Sequence, residues 1–365
     1  MLSPSPAISF PKPAVRLHRR PVLVLGAALA ALACVALPAP AHAADEPVLR
    51  VLTHSSFALK KSLIAQFERD HKVKISLIKA GDAGEMLNKL ILTRQAPIAD
   101  VVFGIDNGLL SKARFEKVLA PLPQPLDADG ARFKAFDLGP DLAPIDYGYV
   151  NLNADRAPLA KAGLAAPKTL QDLTKPAWKN RLVVQNPATS STGLAFFLAT
   201  QQALGGQVWD FWKALKANGV MVTPGWTQAY QKEFTLNGGQ RPLVLSYSTS
   251  PAAEVFYSEG KYTAPPTDNV MLPGGVWLQV EGAGLVQGGK QPQLGLEFIR
   301  FLRSADVQAD IPTQMWVYPV REGVALDPVL QATPLPAGLP STVSIPADAQ
   351  KLQADLRQWA RLMRP

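Results

Sequence analysis

A continuous apolar run that meets a glycine and two polar residues restricts the fold of this chain more than any other feature. Residues 101–103 are Val-Val-Phe, a pattern typical of a strand buried on both faces, and 104–107 are Gly-Ile-Asp-Asn. We predict that the strand ends at 104 and that Asp106 and Asn107 precede the next helix. Ligands of open α/β sheets bind beyond the carboxyl ends of strands, so both residues are candidate ligand contacts. The alternative is a helix N-cap.

Strand-like and helix-like patterns alternate along the rest of the chain. Apolar or β-branched runs predict strands at 48–53, 73–78, 182–185 and 243–247. Amphipathic spacing predicts helices through Phe67, at 85–93, after Ser190, at 292–303 and at about 347–362. This alternation is typical of βαβ units, so we predict an α/β fold with a mainly parallel sheet covered on both faces.

Two further strand patterns, at 143–153 and 276–281, suit strands that cross between two lobes. We therefore predict a first lobe at 44–146 and 276–335, a second lobe at 147–275, and a C-terminal helical segment at 336–365. Small ligands usually bind at the junction of two domains. The predicted ligand cleft accordingly lies between the lobes.

The first 43 residues have the pattern of a secretory signal. Arg19 and Arg20 precede an apolar run at 22–37, and Ala-His-Ala at 41–43 suits cleavage after Ala43. Because the run is short for a membrane span, we expect an exported, periplasmic protein with the segment removed. The two alternatives are lipidation at Cys34 and export by a twin-arginine signal.

Composition argues against several functional classes. The formal charge of +8 includes four basic residues that precede Ala44, and no block of five like charges occurs, which argues against nucleic-acid binding. Cys34 is the single cysteine, so the exported chain would have neither a disulfide nor a thiol. It would retain only His54 and His71, without the spacing of a zinc site, and no nucleophile or P-loop motif is present. We predict a protein that is not an enzyme and needs no cofactor or metal.

Four polar residues at predicted strand ends or helix starts are candidate ligand contacts. His54 follows the first strand, and Asp82 follows a glycine at the start of a helix. Asp82 and Asp106 on one site would suit a cation, because a partly desolvated charge needs a counter-charge. Ser190 and Ser191 open a helix whose amides and hydroxyls could hold a phosphate. A capping or turn role is the alternative for each.

Aromatic residues recur beside turns or helix starts later in the chain. These are Trp226, Tyr230, Tyr247 and Trp316. One such ring is often only part of the core, but several in similar settings favour a stacking box for a flat or cationic ligand.

The segments that carry these candidates resemble the periplasmic thiamine-binding proteins. These proteins are substrate-binding components of bacterial ABC importers with the class II periplasmic-binding-protein fold. Eight segments in the same order carry the resemblance: GDAGEMLNKL, ADVVFGIDNGLL, PIDYGYV, QNPATSSTGL, GWTQAY, VLSYSTSP, WLQVEGAG and IPTQMWVYPV. The resemblance implies a two-lobed monomer that captures thiamine or its phosphates and delivers the ligand to a permease in the inner membrane.

The resemblance also implies roles for individual residues. It assigns stacking to three rings, charge or polar contacts to two acids and the phosphate end to two serines: Trp226, Tyr247 and Trp316; Asp82 and Asp106; Ser190 and Ser191. The chain departs from the family pattern after the first strand, where His54 and Ser55 replace an aromatic residue and an acid, and at Ala252-Ala253, where a further aromatic residue is usual.

Because of these departures, a receptor for another small cationic solute is an alternative function. Ferric ion is a further alternative, because related class II receptors bind Fe³⁺. Those receptors usually present adjacent tyrosines where this chain has Tyr247-Ser248.

Overall fold

The computed structural model describes residues 46–127, 130–331 and 333–364. The predicted signal at 1–43 lies outside the described residues. Within those ranges, no helix has the length and apolar character needed to cross a membrane.

The strands of the described residues form one mixed sheet. They are β1 (Val48–Thr53), β2 (Lys74–Lys79), β3 (Val101–Asp106), β4 (Leu119–Ala120), β5 (Ala143–Asp155), β6 (Leu182–Gln185), β7 (Met221–Thr223), β8 (Leu243–Tyr247), β9 (Thr267–Val270), β10 (Trp277–Val286) and β11 (Tyr318–Pro319). The order is β2-β1-β3-β10-β5-β8-β6-β7; β4 pairs with β10, and β9 and β11 pair with β5.

The prediction of a mainly parallel sheet is wrong. β1 is parallel to β2 and β3, and β6 is parallel to β7 and β8. However, β10 runs antiparallel to β3 and β5, and β5 runs antiparallel to β8. The physical reason is that the two long strands cross the molecule in opposite directions and join two parallel groups. We call the part built on β1–β3 the first lobe and the part built on β6–β8 the second lobe.

Helices cover the sheet, and several begin and end close to the predicted limits. They are α1 (Lys61–His71), α2 (Ala83–Leu92), α3 (Leu110–Phe115), α4 (Arg156–Lys161), α5 (Ser191–Leu204), α6 (Val208–Ala217), α7 (Trp226–Gln228), α8 (Ser250–Phe256), α9 (Pro292–Leu302), α10 (Ala305–Gln314), α11 (Pro328–Gln331) and α12 (Ala349–Met363). A π-helical turn, Ala229–Glu233, continues α7.

The end of β3 differs from the prediction. The strand continues through Gly104 to Asp106 instead of ending at the glycine, and α3 begins only at Leu110. Gly104 has φ +103°, and the register with β10 shifts at this point, so Gly104 is the extra residue of a β-bulge. A glycine tolerates this backbone angle, and Asp106 can therefore still pair with Glu281.

Three apolar clusters form the core of the described residues, and the largest of them contains residues of both lobes. In the first lobe, α1 and α9 pack Phe67 against Phe298 with ring centroids 5.3 Å apart. In the second, Trp212 of α6 contacts Trp359 of α12 at 5.5 Å, which fixes the C-terminal helix. The lobe boundaries placed at 146 and 276 fall inside β5 and just before β10, and they stay a prediction.

Candidate functional site

A cavity of about 860 Å³ lies between elements of the two lobes. Seven of the predicted site residues line it: His54, Asp82, Ser191, Trp226, Tyr230, Tyr247 and Trp316. Asp106, Asn107 and Ser190 are not among its lining residues. The volume is within the range of cavities that enclose a small organic ligand.

Asp82 connects the lobes at one end of the cavity. It is the N-cap of α2, and its Oδ1 accepts a hydrogen bond from the Ala83 amide at 2.7 Å. Its Oδ2 accepts a hydrogen bond from the amide of Trp226, the first residue of α7, at 3.0 Å. The carboxylate therefore satisfies a backbone amide in each lobe and still lines the cavity.

His54 and Glu281 lie side by side in the same wall. His54 Nε2 lies 3.5 Å from Glu281 Oε2, close enough for an ion pair when the imidazole is protonated, and it meets no hydrogen-bond partner among the described residues. Burial disfavours the charged imidazole, but the charges of Glu281 and Asp82 outweigh burial and raise the pKa of His54. Glu281 was not predicted as a site residue. Local sequence does not distinguish an acid of an apolar strand that faces a cavity from one that faces a partner in the core.

The bulge in β3 makes room for the His54 imidazole. A Cβ atom on Gly104 would lie 2.3 Å from His54 Cδ2, and the ring also packs on Phe103 with centroids 5.6 Å apart. A side chain at 104 would therefore displace the imidazole from the cavity wall.

Stacked rings form part of the opposite wall. Trp226 and Tyr230 lie 4.9 Å apart with an angle of 15° between their planes. Trp226 Nε1 donates to Ser246 Oγ at 2.8 Å, which fixes the orientation of the indole. The π-helical turn that holds Tyr230 is a feature often found at functional sites.

Trp316 closes a third side of the cavity. Its Nε1 donates to the Tyr257 hydroxyl at 3.0 Å, and its carbonyl accepts a hydrogen bond from Thr249 Oγ1. Its φ of +59° is rare for a tryptophan and stores backbone strain, which is often found at binding sites. Tyr257 was not predicted, since it follows α8 as an ordinary exposed aromatic residue.

A further acid, the partly buried Glu254, lines the cavity beside Tyr230. It accepts hydrogen bonds from the Tyr230 hydroxyl and, at 2.6 Å, from Thr267 Oγ1. Burial raises the pKa of Glu254 to about 7. Burial, with the charge of Glu254, also raises the pKa of Tyr230. Glu254 was not predicted as a site residue, because local sequence does not distinguish it from a solvent-exposed glutamate of α8.

The α5 start places its two serines differently. Ser191 lines the cavity, whereas Ser190 Oγ lies 3.0 Å from Thr192 Oγ1, which in turn donates to Gln185 Oε1 at 2.7 Å. Burial and the charges of Glu281 and Asp82 raise the pKa of Tyr247, the aromatic residue that ends β8. This end of the cavity is therefore close to several carboxylates.

Asp106 and Asn107 lie behind the wall and have partners within the protein. Asp106 accepts hydrogen bonds from the Leu109 amide and Gln279 Nε2, both at 2.8 Å, an arrangement close to the capping alternative. Burial raises the pKa of Asp106 to about 7. Asn107 Nδ2 donates to two carbonyls, at 3.1 and 2.8 Å, and its Oδ1 accepts from the Val280 amide at 2.9 Å. Their roles as ligand contacts stay a prediction.

The arrangement suits a flat cation better than a metal ion. Carboxylates and stacked rings enclose the same space, and the described residues contain no group of three or more His, Cys, Asp or Glu side chains placed to hold a metal. Such a cavity can bind a ring by stacking and balance its charge.

Comparison with known proteins agrees with this architecture. Residues 62–337 match the family model described as bacterial extracellular solute-binding protein. The thiamine-binding periplasmic protein of Salmonella typhimurium is 33% identical over 328 residues, which are 88% of this chain and 95% of that protein. The protein of the same name in Escherichia coli is 32% identical over 325 residues, 87% and 93% of the two chains.

A solved structure shows the same fold. A periplasmic thiamin binding protein matches with a TM-score of 0.76 and 32% identity, over 88% of this chain and 97% of that one. The resemblance seen in the sequence segments and the two-lobed α/β fold are both confirmed. The chain belongs to the bacterial extracellular solute-binding protein family.

Proposed function

We propose that this protein is the extracytoplasmic receptor of an ABC importer and that it captures thiamine or a thiamine phosphate. The observation that carries the proposal is the composition of the cavity wall, where Asp82 and Glu281 share one space with the stacked Trp226 and Tyr230. The rings would stack on the ligand, and the carboxylates would balance its positive charge. Ligand capture and release require no bond to be made or broken, so we expect no catalytic activity.

The names of the relatives support this ligand. The proteins at 33% and 32% identity are named as thiamine-binding, and so is the solved structure at 32% identity. The ferric-ion alternative has less support than thiamine.

The compartment and partner follow from the same reasoning. The relatives are periplasmic proteins, and the signal pattern at 1–43 would direct this chain to the same compartment before cleavage. We expect a monomer that delivers its ligand to a permease in the inner membrane.

Closure of the lobes around the ligand is the mechanism we propose. Three contacts already join the two lobes, with Trp316 counted in the predicted first lobe. They are Asp82 with the Trp226 amide, the Glu85 amide with the Thr189 carbonyl at 3.1 Å, and Thr249 with the Trp316 carbonyl. A ligand that touches both walls binds the closed form more tightly than the open form and therefore shifts the population toward closure.

Titration of the purified exported protein with thiamine, followed by tryptophan fluorescence, tests the proposal. We expect saturable binding, and Trp226→Ala should weaken it by about 1 to 2 kcal/mol, roughly 5- to 30-fold, because a cation–π contact is lost. Phe115→Ala, an exposed aromatic residue outside the cavity, is the matched control and should bind as the wild type does. A flat titration at millimolar thiamine would exclude this ligand.

Another small flat cation is the second candidate. The specific observation is that His54, Ser55 and Ala253, three positions that depart from the family pattern, all line the cavity. Mass spectrometry of the ligand retained through purification distinguishes the two candidates.

A further inference from the structure

His54, which can carry a positive charge, lies beside Glu281, the carboxylate that the proposed cationic ligand would use. Both residues line the cavity, and their side chains are 11% and 10% exposed. The distance of 3.5 Å is short enough for a strong charge interaction in a buried site. His54 Nε2 makes no hydrogen bond within the described residues, so no other group competes with Glu281 for it.

The groups around His54 favour its protonated form. Glu281 on β10 and Asp82 at the start of α2 are the acids that face it, and Lys79 at the end of β2 is the opposing cation. Lys79 Nζ is held by the backbone carbonyls of Ser55 and Phe57, at 3.3 and 2.7 Å. β3 contributes Phe103 and Gly104 to the contact with the ring, and neither is charged. Negative charge therefore predominates around the imidazole.

We propose that protonated His54 balances the charge of Glu281 in the ligand-free protein. A cationic ligand then takes over this role, and His54 releases its proton when the ligand binds. This inference rests on the proposed function, because it requires a cationic ligand. Two positive charges beside one buried carboxylate repel each other, and His54 is the partner that can become neutral. The exchange keeps the net charge of the site constant while the ligand is desolvated.

The acids Glu281 and Asp82 raise the pKa of His54 in the free protein, and a bound cation would offset their effect and lower it. Affinity for the cation should rise by up to tenfold per pH unit between the lower pKa of the bound form and the raised pKa of the free form, and become constant once the free imidazole is neutral. Burial raises the pKa values of Asp106 and Glu254 to about 7 and that of Asp146, which lies beside Glu281, well above its usual range, and all three acids would change affinity in the same direction. The test must therefore follow His54 itself.

NMR of the exported protein labelled with ¹⁵N-histidine measures the His54 pKa before and after saturation with thiamine, and His71→Gln identifies the second described histidine. We expect a raised pKa in the free protein, a lower one with thiamine, and a lower one in Glu281→Gln. Calorimetry in buffers of different ionisation enthalpy should show proton release of up to one per thiamine near pH 6. Most of that release should be lost in His54→Gln and retained in the control His71→Gln, whose imidazole stacks on Phe67 outside the cavity.

The outcomes separate this inference from the proposed function. Thiamine binding that leaves the His54 pKa unchanged or raises it overturns the exchange and leaves the receptor function intact. Equal proton release by His54→Gln and the wild type also overturns it. The complete absence of thiamine binding overturns the proposed function, and the exchange fails with it. The wild-type NMR titration decides the exchange even if a substituted protein does not fold.

Discussion

Three carboxylates lie on neighbouring strands, and burial raises the pKa values of two of them. Glu281 on β10 pairs in register with Asp106 on β3 and with Asp146 on β5. Burial, together with the charge of Glu281, raises the pKa of Asp146 well above its usual range and that of Asp106 to about 7. Like charges this close do not all ionise. Glu281 is the member that lines the cavity, and it is therefore the acid that can hold a cation.

Asp106→Asn should remove part of the pH dependence of stability. The pKa of folded Asp106 is about 7, against roughly 3.9 in an unfolded chain. The folded state therefore keeps a proton that the unfolded state has lost, and the wild type loses stability as pH rises from about 4 to about 7. Asparagine does not titrate, so between pH 5 and 8 the variant should gain about 2 to 3 kcal/mol relative to the wild type.

Urea denaturation at the two pH values measures this difference. The control is Asp210→Asn, whose side chain is 80% exposed beside Lys213, and it should follow the wild type. An Asp106→Asn protein with the pH profile of the wild type would show that this carboxyl titrates normally.

At the scale of elements, short apolar runs bounded by turn residues were predictable, and partners distant in sequence were not. β6 and β8 occupy the predicted residues 182–185 and 243–247, and α9 ends one residue before the predicted limit. The continuation of β3 depends on its bulged pairing with β10, which no local pattern indicates. For the same reason, local sequence indicated that His54 follows a strand and that Tyr247 ends one, but it did not indicate that Glu281 and Glu254 line the cavity, because only the tertiary fold turns these acids toward it.

Asp82 serves α2 as an N-cap and serves the cavity as a charge, and two substitutions should separate these roles. Asparagine is also a good N-cap, so Asp82→Asn should change the free energy of unfolding by only a few tenths of a kcal/mol while weakening thiamine binding. Asp82→Ala should also lose about 1 kcal/mol of stability, because the Ala83 amide loses its acceptor. Urea denaturation and fluorescence titration measure the two effects.

The matched control for the cap is Asp348, which accepts hydrogen bonds from two amides at the start of α12, at 2.8 and 2.9 Å. Asp348→Ala should lose similar stability with unchanged affinity. If Asp82→Asn binds thiamine as tightly as the wild type, the charge of Asp82 does not contribute to binding.

At the scale of the whole molecule, closure depends on how closely α2 approaches the loop before α5. A Cβ atom on Gly84 would lie 2.6 Å from the Thr189 carbonyl carbon, and the next residue, Glu85, donates its amide to the Thr189 carbonyl. The backbone of α2 in the first lobe thus contacts the backbone of the loop before α5 in the second lobe. Gly84 has a helical position that any residue could occupy, so the requirement for glycine there comes from the contact between lobes and not from α2 itself.

Gly84→Ala should consequently impair closure without harming the fold. Alanine favours a helix over glycine by up to about 1 kcal/mol, so the free energy of unfolding of the open form should stay constant or rise. The added methyl group would prevent the approach of Thr189, and thiamine affinity should fall by about tenfold or more, a loss of roughly 1.4 kcal/mol. Small-angle X-ray scattering should show compaction by thiamine in the wild type and little in the variant.

Gly206→Ala, where a Cβ atom would meet nothing within 4 Å, should close and bind normally. A Gly84→Ala protein that binds with wild-type affinity would show that ligand capture does not need this contact, and the closure mechanism would have to rest on the Asp82 and Thr249 contacts alone.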